Sequence, residues 1–281
     1  MKDDLDTGAE KTWCPGCGNF GIMNAFRAAI GKLETKGVGR DRVVMSAGIG
    51  NHAKIFDYVN LSGVYSLHGR SMATIQGMKL ANPDLKVVGF AGDGDALGEG
   101  IAHLIFAAKR NSDVTVVVHE NGIYALTTGQ RAPTSPRGYR GPSTPGGSVE
   151  NPLNPLVLML ESGATFVARG YSGHVDQLAD LMVAAIEHEG FSFVDVLQPC
   201  VIFNNRYEQL NEIVEPIDGP PMEFDEALAA ARVEEPLRTG IFYRAERPSH
   251  EGALLGGRNP FKDHPTREAR LTAVDDLLAK H

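Results

Sequence analysis

Three short valine-rich runs, each ending in glycine, constrain the fold of this chain more than any other feature. Val43-Val44-Met45-Ser46 leads into Ala47-Gly48-Ile49-Gly50, Lys86-Val87-Val88-Gly89-Phe90-Ala91 into Gly92-Asp93-Gly94-Asp95, and Val114-Thr115-Val116-Val117-Val118 into His119-Glu120-Asn121-Gly122. None alternates apolar with polar residues, so each predicts a strand covered on both faces. Helical spacing recurs between them. Residues 21–33 align Ile22, Ala25, Phe26, Ala29 and Ile30, residues 71–80 suggest a short helix, and residues 97–109 align Ile101, Leu104, Ile105 and Ala108. Further strands are expected at 165–168 and 192–196, with a helix over 175–188 between them. The alternation predicts an α/β fold on a doubly wound, mostly parallel sheet. Ligands bind such sheets at the carboxyl ends of the strands, the ends that carry glycine here.

Two stretches break the pattern. Residues 131–155 turn to Pro, Gly, Ser and Arg, a long loop of the kind that is functional or a linker. After Cys200 the chain becomes polar, and its final 80 or so residues are expected to have little core of their own. The expected organisation is an α/β domain over 1–205 and a tail over 206–281 that packs on another surface. Charge narrows the function classes: 27 Lys and Arg against 35 Asp and Glu, a net −8, leaves no basic stripe for a dedicated nucleic-acid binder. No apolar run reaches the roughly 18 residues of a membrane-spanning helix. The opening MKDDLDTGAEKTW is too acidic for a signal peptide, so a cytoplasmic location is expected.

The chemistry concentrates in two places. Gly92-Asp93-Gly94 is a tight turn at a strand end, followed by a helix whose unpaired N–H groups favour a phosphate. Asn121 stands 28 residues after Asp93, at the end of the next strand. The Asp93 carboxylate and Asn121 amide are hard oxygen donors of the type Mg²⁺ takes alongside substrate phosphates, with a backbone carbonyl near Ile123 completing the set. Alone, the Gly-Asp-Gly turn also reads as a capped turn without a ligand. The second place is Cys14-x-x-Cys17 in the turn-rich WCPGCG; with Cys200 it makes three cysteines, an odd count that excludes a disulfide framework. Buried thiols, a redox dithiol, a zinc site and an iron–sulfur site all fit that count.

Trp13-Cys14-Pro15-Gly16-Cys17-Gly18-Asn19, Gly48-Ile49-Gly50, Leu67-His68-Gly69-Arg70, GDGDALGEG, Asn121-Gly122-Ile123-Tyr124, Thr128-Gly129-Gln130 and Gln198-Pro199-Cys200 occur in that order. The string resembles the β subunit of a 2-oxoacid:ferredoxin oxidoreductase over roughly residues 10 to 205. The resemblance implies thiamine diphosphate with Mg²⁺, one [4Fe–4S] cluster, an α subunit in an αβ or α2β2 assembly, ferredoxin as electron acceptor, and CoA and a 2-oxoacid as substrates. It places Asp93, Asn121 and Ile123 at Mg²⁺ and Gly92, Gly94 and Asp95 at the diphosphate turn. Gly48, Ile49, Gly50, Gly69 and Tyr124 fall around the cofactor, and His68 and Arg70 in catalytic positions. The activating glutamate is assigned to the partner chain. Cys14, Cys17 and Cys200 match cluster ligands, but the family's fourth cysteine, after Gly-Ile-Gly, is here Asn51. His52, one residue on, is the expected replacement; an iron open to water or a degenerate site are the other outcomes. Arg131, Arg137 and Arg140 suggest a second substrate carboxylate, hence 2-oxoglutarate, with a CoA-phosphate contact as the competing use. Rival functions are a thiamine-dependent decarboxylase or synthase subunit with a zinc or empty thiol site, pyruvate as substrate, and a non-catalytic phosphate-binding module.

Overall fold

The structure, a computed structural model, describes residues 4–280; Met1 to Asp3 of the acidic N-terminal stretch and His281 lie outside it. The valine-rich runs form β1 (Val43–Ala47), β3 (Lys86–Gly92) and β4 (Thr115–Glu120), whose interiors are buried throughout. The other strands are β2 (Ser62–Tyr65), β5 (Ile123–Tyr124), β6 (Gln130–Arg131), β7 (Phe166–Tyr171), β8 (Ser192–Leu197), β9 (Val214–Pro216) and β10 (Leu237–Arg244). Eight make one sheet in the order β2-β1-β3-β4-β8-β7-β10-β9, and β5 and β6 pair as a separate small hairpin. Every pairing in the large sheet is parallel except β10 against β7.

Helices cover both faces, as buried strands require. On one side helices Asn19–Thr35 and Val175–Glu187 bury Ile22, Phe26, Ile30, Leu178 and Met182 against the sheet. On the other, helices Ser71–Ala81, Ile101–Arg110, Pro155–Glu161 and Phe224–Ala231 enclose Met72, Ile75, Leu104, Leu156 and Ala227. The chain leaves β1 for β2 on one side and returns to place β3 on the other, so a topological switch point lies between β1 and β3. At such a point adjacent crossovers diverge and leave a crevice at the strand ends.

The C-terminal part differs from expectation. Residues 206–281 were expected to be a tail with little core, yet β9 and β10 extend the sheet, and Phe242 on β10 and Ala227 and Ala231 on the Phe224–Ala231 helix are fully buried. Mixed polarity along β10 hides the strand from pattern reading: Thr239 and Phe242 are buried, Ile241 and Tyr243 half-buried, and Arg238 and Arg244 exposed. Only beyond this point does the segment behave as a tail: helix Arg267–Leu278 buries none of its residues. The 131–155 loop is likewise anchored, with Ala132, Thr134, Ser135 and Ser148 buried.

Candidate active site

A cavity of about 570 Å³ opens at the switch point, lined by the turns after β1, β3 and β4. The register Ala47–Phe90 and Gly92–His119 brings those three strand ends level. Asp93 is buried at its floor. Its Oδ1 accepts from the Gly94 amide at 2.9 Å, and its Oδ2 from the Gly122 amide at 2.8 Å and the Thr134 hydroxyl at 2.5 Å. Burial dominates over these bonds and pushes the Asp93 carboxyl up to about 6; a cation beside it favours the charged form. Asn121 also faces the cavity; its Oδ1 accepts from the Ile123 amide at 3.0 Å and its amide donates to Gln198 Oε1 at 3.1 Å. Ile123 is buried in the same wall.

Asp95 is the second buried carboxylate. Its Oδ1 accepts from the Gly69 amide at 2.7 Å and lies 2.6 Å from His68 Nδ1. Burial alone would raise its carboxyl; His52, Gly69 and His68 outweigh that and hold it below the usual carboxylate range. Gly48 is required by this contact, because a Cβ there would stand 1.7 Å from Asp95 Oδ2. Gly94 is required by another: a Cβ would meet the Tyr124 ring at 2.3 Å, and the Tyr124 hydroxyl donates to the Gly94 carbonyl at 3.2 Å. From Gly94 to Glu99 the backbone forms a π-helical turn, continuing through Gly100 into the Ile101–Arg110 helix.

The expected site residues sort into three groups. Ile49, Gly50, His68, Gly92, Asp93, Gly94, Asp95, Asn121, Ile123 and Tyr124 all line the cavity. Gly48 and Gly69 do not reach it but bear on Asp95 from behind. Arg70 is displaced from its expected catalytic position. It is exposed, and its guanidinium donates to the carbonyls of His68, Gly69 and Glu99 at 3.2 to 3.4 Å, clasping the His68 turn to the Gly94–Glu99 segment.

His52 is the larger correction. It was expected beside the cysteines, yet it is buried in the wall of the other cavity, with Nε2 3.5 Å from Asp95 Oδ2. Asn51 and His52 open a one-turn 3-10 helix, on which neighbouring side chains diverge by about 120°. Neither Asp95 Oδ2 nor His52 Nε2 completes a hydrogen bond, nor does Nε2 of buried His119, whose Nδ1 lies 2.8 Å from Asn19 Oδ1. Asp95 Oδ2 and His52 Nε2 face each other as an ion pair, so among the described residues the polar atom left without a partner in this wall is His119 Nε2. Oxygen donors at Asp93 and Asn121 and a helical turn at Gly94 fit a diphosphate and its cation there.

A second cavity, of about 440 Å³, adjoins the first. Cys14, Cys17 and Cys200 line it, together with Asn51, Asn121 and Gln198. Gln198 Nε2 lies 3.8 Å from Cys17 Sγ, and burial pushes the Cys17 thiol up to about 11. The three cysteines face one space without converging on a point; among the described residues no three His, Cys, Asp or Glu side chains do. Asn51, Asn121 and Ala125 line both cavities, so one layer of side chains separates them.

Thr134 and Ser135 were not anticipated. They come from the Pro/Gly-rich loop and reach back to Asp93 and to the Gly122 carbonyl, the latter at 2.5 Å. In the lining Ile49 and Leu126 are exposed at 41% and 51%, and Leu67, next to His68 in sequence, at 75%. No helix of the described residues is long and apolar enough to cross a membrane.

Residues 43–196 match the family described as thiamine pyrophosphate enzyme, C-terminal TPP binding domain. The chain is 42% identical over 292 residues to the 2-oxoacid:ferredoxin oxidoreductase subunit beta of Saccharolobus solfataricus, covering 95% of both chains. It is 39% identical over 203 residues to the 2-oxoglutarate synthase subunit KorB of Methanothermobacter marburgensis, covering 72% of this chain and 70% of that one. Its fold superimposes with a TM-score of 0.89 and 35% identity on a 2-oxoglutarate:ferredoxin oxidoreductase from Magnetococcus marinus, solved with 2-oxoglutarate, coenzyme A and succinyl-CoA bound, over 98% of this chain and 96% of that one. With a thiamine-binding core at its centre and a match to whole subunits from end to end, the chain belongs to the β subunits of the 2-oxoacid:ferredoxin oxidoreductases.

Proposed function

We propose that this β subunit, joined to an α subunit, holds thiamine diphosphate with Mg²⁺ in the larger cavity and a [4Fe–4S] cluster in the smaller one. In this reading it serves the reversible, CoA-dependent oxidative decarboxylation of 2-oxoglutarate to acyl-CoA and CO₂, with ferredoxin taking the electrons. The observation that carries this is the shared wall: Asn51, Asn121 and Ala125 line both cavities, so a carbon centre and an electron acceptor would stand on either side of one residue layer. A decarboxylase without electron transfer has no use for that adjacency.

Thiamine diphosphate supplies, when bound, the electron sink that lets a 2-oxoacid lose its carboxyl group. The protein's part is to hold it. Asp93, Asn121 and the Ile123 carbonyl would supply oxygen donors for the cation, and the helical turn that begins at Gly94 would face the diphosphate. Asp95 fixes His68 at the mouth, where the imidazole faces whatever enters. For the second cavity, three cysteines set around one space without converging on a point suit a cluster, whereas zinc draws its thiolates to about 2.3 Å from one point.

Substrate choice rests on the loop arginines and the relatives. The Arg131 guanidinium pairs with Glu150, and Arg137 and Arg140 are exposed on the same loop, outside the lining of either cavity; they would reach a distal carboxylate only from beyond the mouth. Two of the similar proteins carry 2-oxoglutarate in their names. The test is co-expression with the α subunit, thiamine, iron and sulfide determination on the complex, and ferredoxin reduction with CoA and 2-oxoglutarate, pyruvate or branched 2-oxoacids. The expected result is stoichiometric thiamine and the highest kcat/KM for 2-oxoglutarate. A higher value for pyruvate overturns the substrate assignment, and zinc without sulfide overturns the cluster.

A further inference from the structure

The cysteine cavity carries an inference that rests on the cluster reading above. The chain has three cysteines in all, and all three line this cavity. A cubane cluster presents four irons, each of which takes a ligand from outside the cluster. The remaining candidates can be followed one by one. His52, the nearest imidazole in sequence, is buried beside Asp95 in the other cavity. Among the polar side chains that line the cysteine cavity, Asn19 is held at His119, Asn121 at Gln198 and Ile123, Gln198 at Cys17 and Pro199, and Thr12 at Tyr58 and Lys54. Asn51 differs. Its backbone carbonyl accepts from Trp13 Nε1 at 2.7 Å, which anchors the residue, while its side-chain amide makes no hydrogen bond among the described residues. A neutral carboxamide is a hard, weak donor and a poor match for iron in a sulfide cluster.

We infer that the cluster held here has three irons on Cys14, Cys17 and Cys200 and a fourth, without a protein thiolate, on the side of Asn51, and that this iron is exchangeable. The step balances as a one-electron oxidation: [4Fe–4S]²⁺ gives up one electron to an external one-electron oxidant and releases Fe²⁺ to solvent, leaving [3Fe–4S]⁺. All sulfides and all three thiolate bonds are retained. Added Fe²⁺ and a one-electron reductant reverse it. Asn51 lines both cavities.

The test uses the anaerobically purified complex with its α subunit, treated with ferricyanide and followed by iron and acid-labile sulfide analysis and by electron paramagnetic resonance. Wild type is expected to lose one iron in four from this cluster while keeping its sulfide, and to show the near-isotropic signal of an oxidised three-iron cluster. Asn51→Cys is expected to keep all its iron and show no such signal. His52→Gln is expected to follow wild type, and this comparison stands by itself if the cysteine variant does not fold. Retention of all iron by oxidised wild type, or a changed cluster signal in His52→Gln, overturns the inference while leaving the cluster reading intact. A complex whose cysteine site holds zinc, or no iron and sulfide, overturns the cluster reading and this inference with it.

Discussion

The two cavities stand side by side, yet they are built on opposite principles. The walls of the larger cavity, the proposed thiamine site, are tied by their own hydrogen bonds: Asp93 accepts three, Asp95 is held by Gly69 and His68, and Gly48 and Gly94 let Asp95 and Tyr124 approach closely. The cysteine cavity draws its three sulfurs from two distant segments and ties them loosely, with the Asn19 backbone amide and the Gln198 side-chain amide, the latter at 3.8 Å, beside Cys17. A diphosphate needs fixed dipoles aimed at it, so preorganisation stabilises binding. A cluster brings its own rigid geometry and forms strong bonds to whatever thiolates it reaches, so its protein site need not be fixed in advance.

That contrast is open to attack, most sharply by a reciprocal pair. Asp93→Ala is expected to lower thiamine retention by at least about 100-fold and leave iron content unchanged; Cys17→Ser is expected to do the reverse. Both read out by cofactor extraction and metal analysis of the same purified complex, and loss of both groups in either variant would show that the cavities form one cooperative unit. A smaller effect is expected from Thr134→Val, which removes one hydrogen bond to Asp93. At about 0.5–1.5 kcal/mol for such a bond, thiamine affinity should fall by about 2- to 12-fold with the cluster unaffected, measured by titration of cofactor-stripped complex. An unchanged affinity would place the organisation of Asp93 in the backbone amides alone.

The smallest effect lies away from both cavities and serves as their control. His188 is buried against Thr165 Oγ1 at 2.8 Å, and burial lowers its imidazole to about 4. Its folded value lies below the unfolded one of about 6.5, so the unfolded chain takes up the proton first and stability falls as pH drops from about 6.5 towards 4. His188→Gln should flatten that part of the stability curve, followed by urea unfolding at stepped pH, without moving thiamine or iron content.

Much of this was legible in the sequence, for identifiable reasons. β1, β3 and β4 are valine-rich because both faces are covered, and their glycine ends mark where the chain turns at the larger cavity. Gly92-Asp93-Gly94 and Asn121 come together because the parallel register aligns their strand ends, which strand order alone predicts. Other features had no local signal. β10 runs antiparallel with mixed burial, so its pattern matches neither a buried nor a half-buried strand. Thr134 and Ser135 sit in a Pro/Gly-rich stretch indistinguishable in composition from a solvated loop. Asn51 and His52 are neighbours whose side chains part on a single turn, and no spacing rule tells which of them faces the sulfurs.

Ile49 and Leu126, exposed in the lining of the larger cavity, and Leu67 beside His68 have a consequence beyond catalysis. Apolar surface gathered at one opening is normally covered by a partner, and left bare it invites association with whatever is near. A ribosome that produces this subunit in excess of its α partner therefore makes a molecule with a sticky face and no work to do. Production in matched numbers, from a shared message or with rapid clearance of the surplus, is the cellular arrangement that such a surface demands.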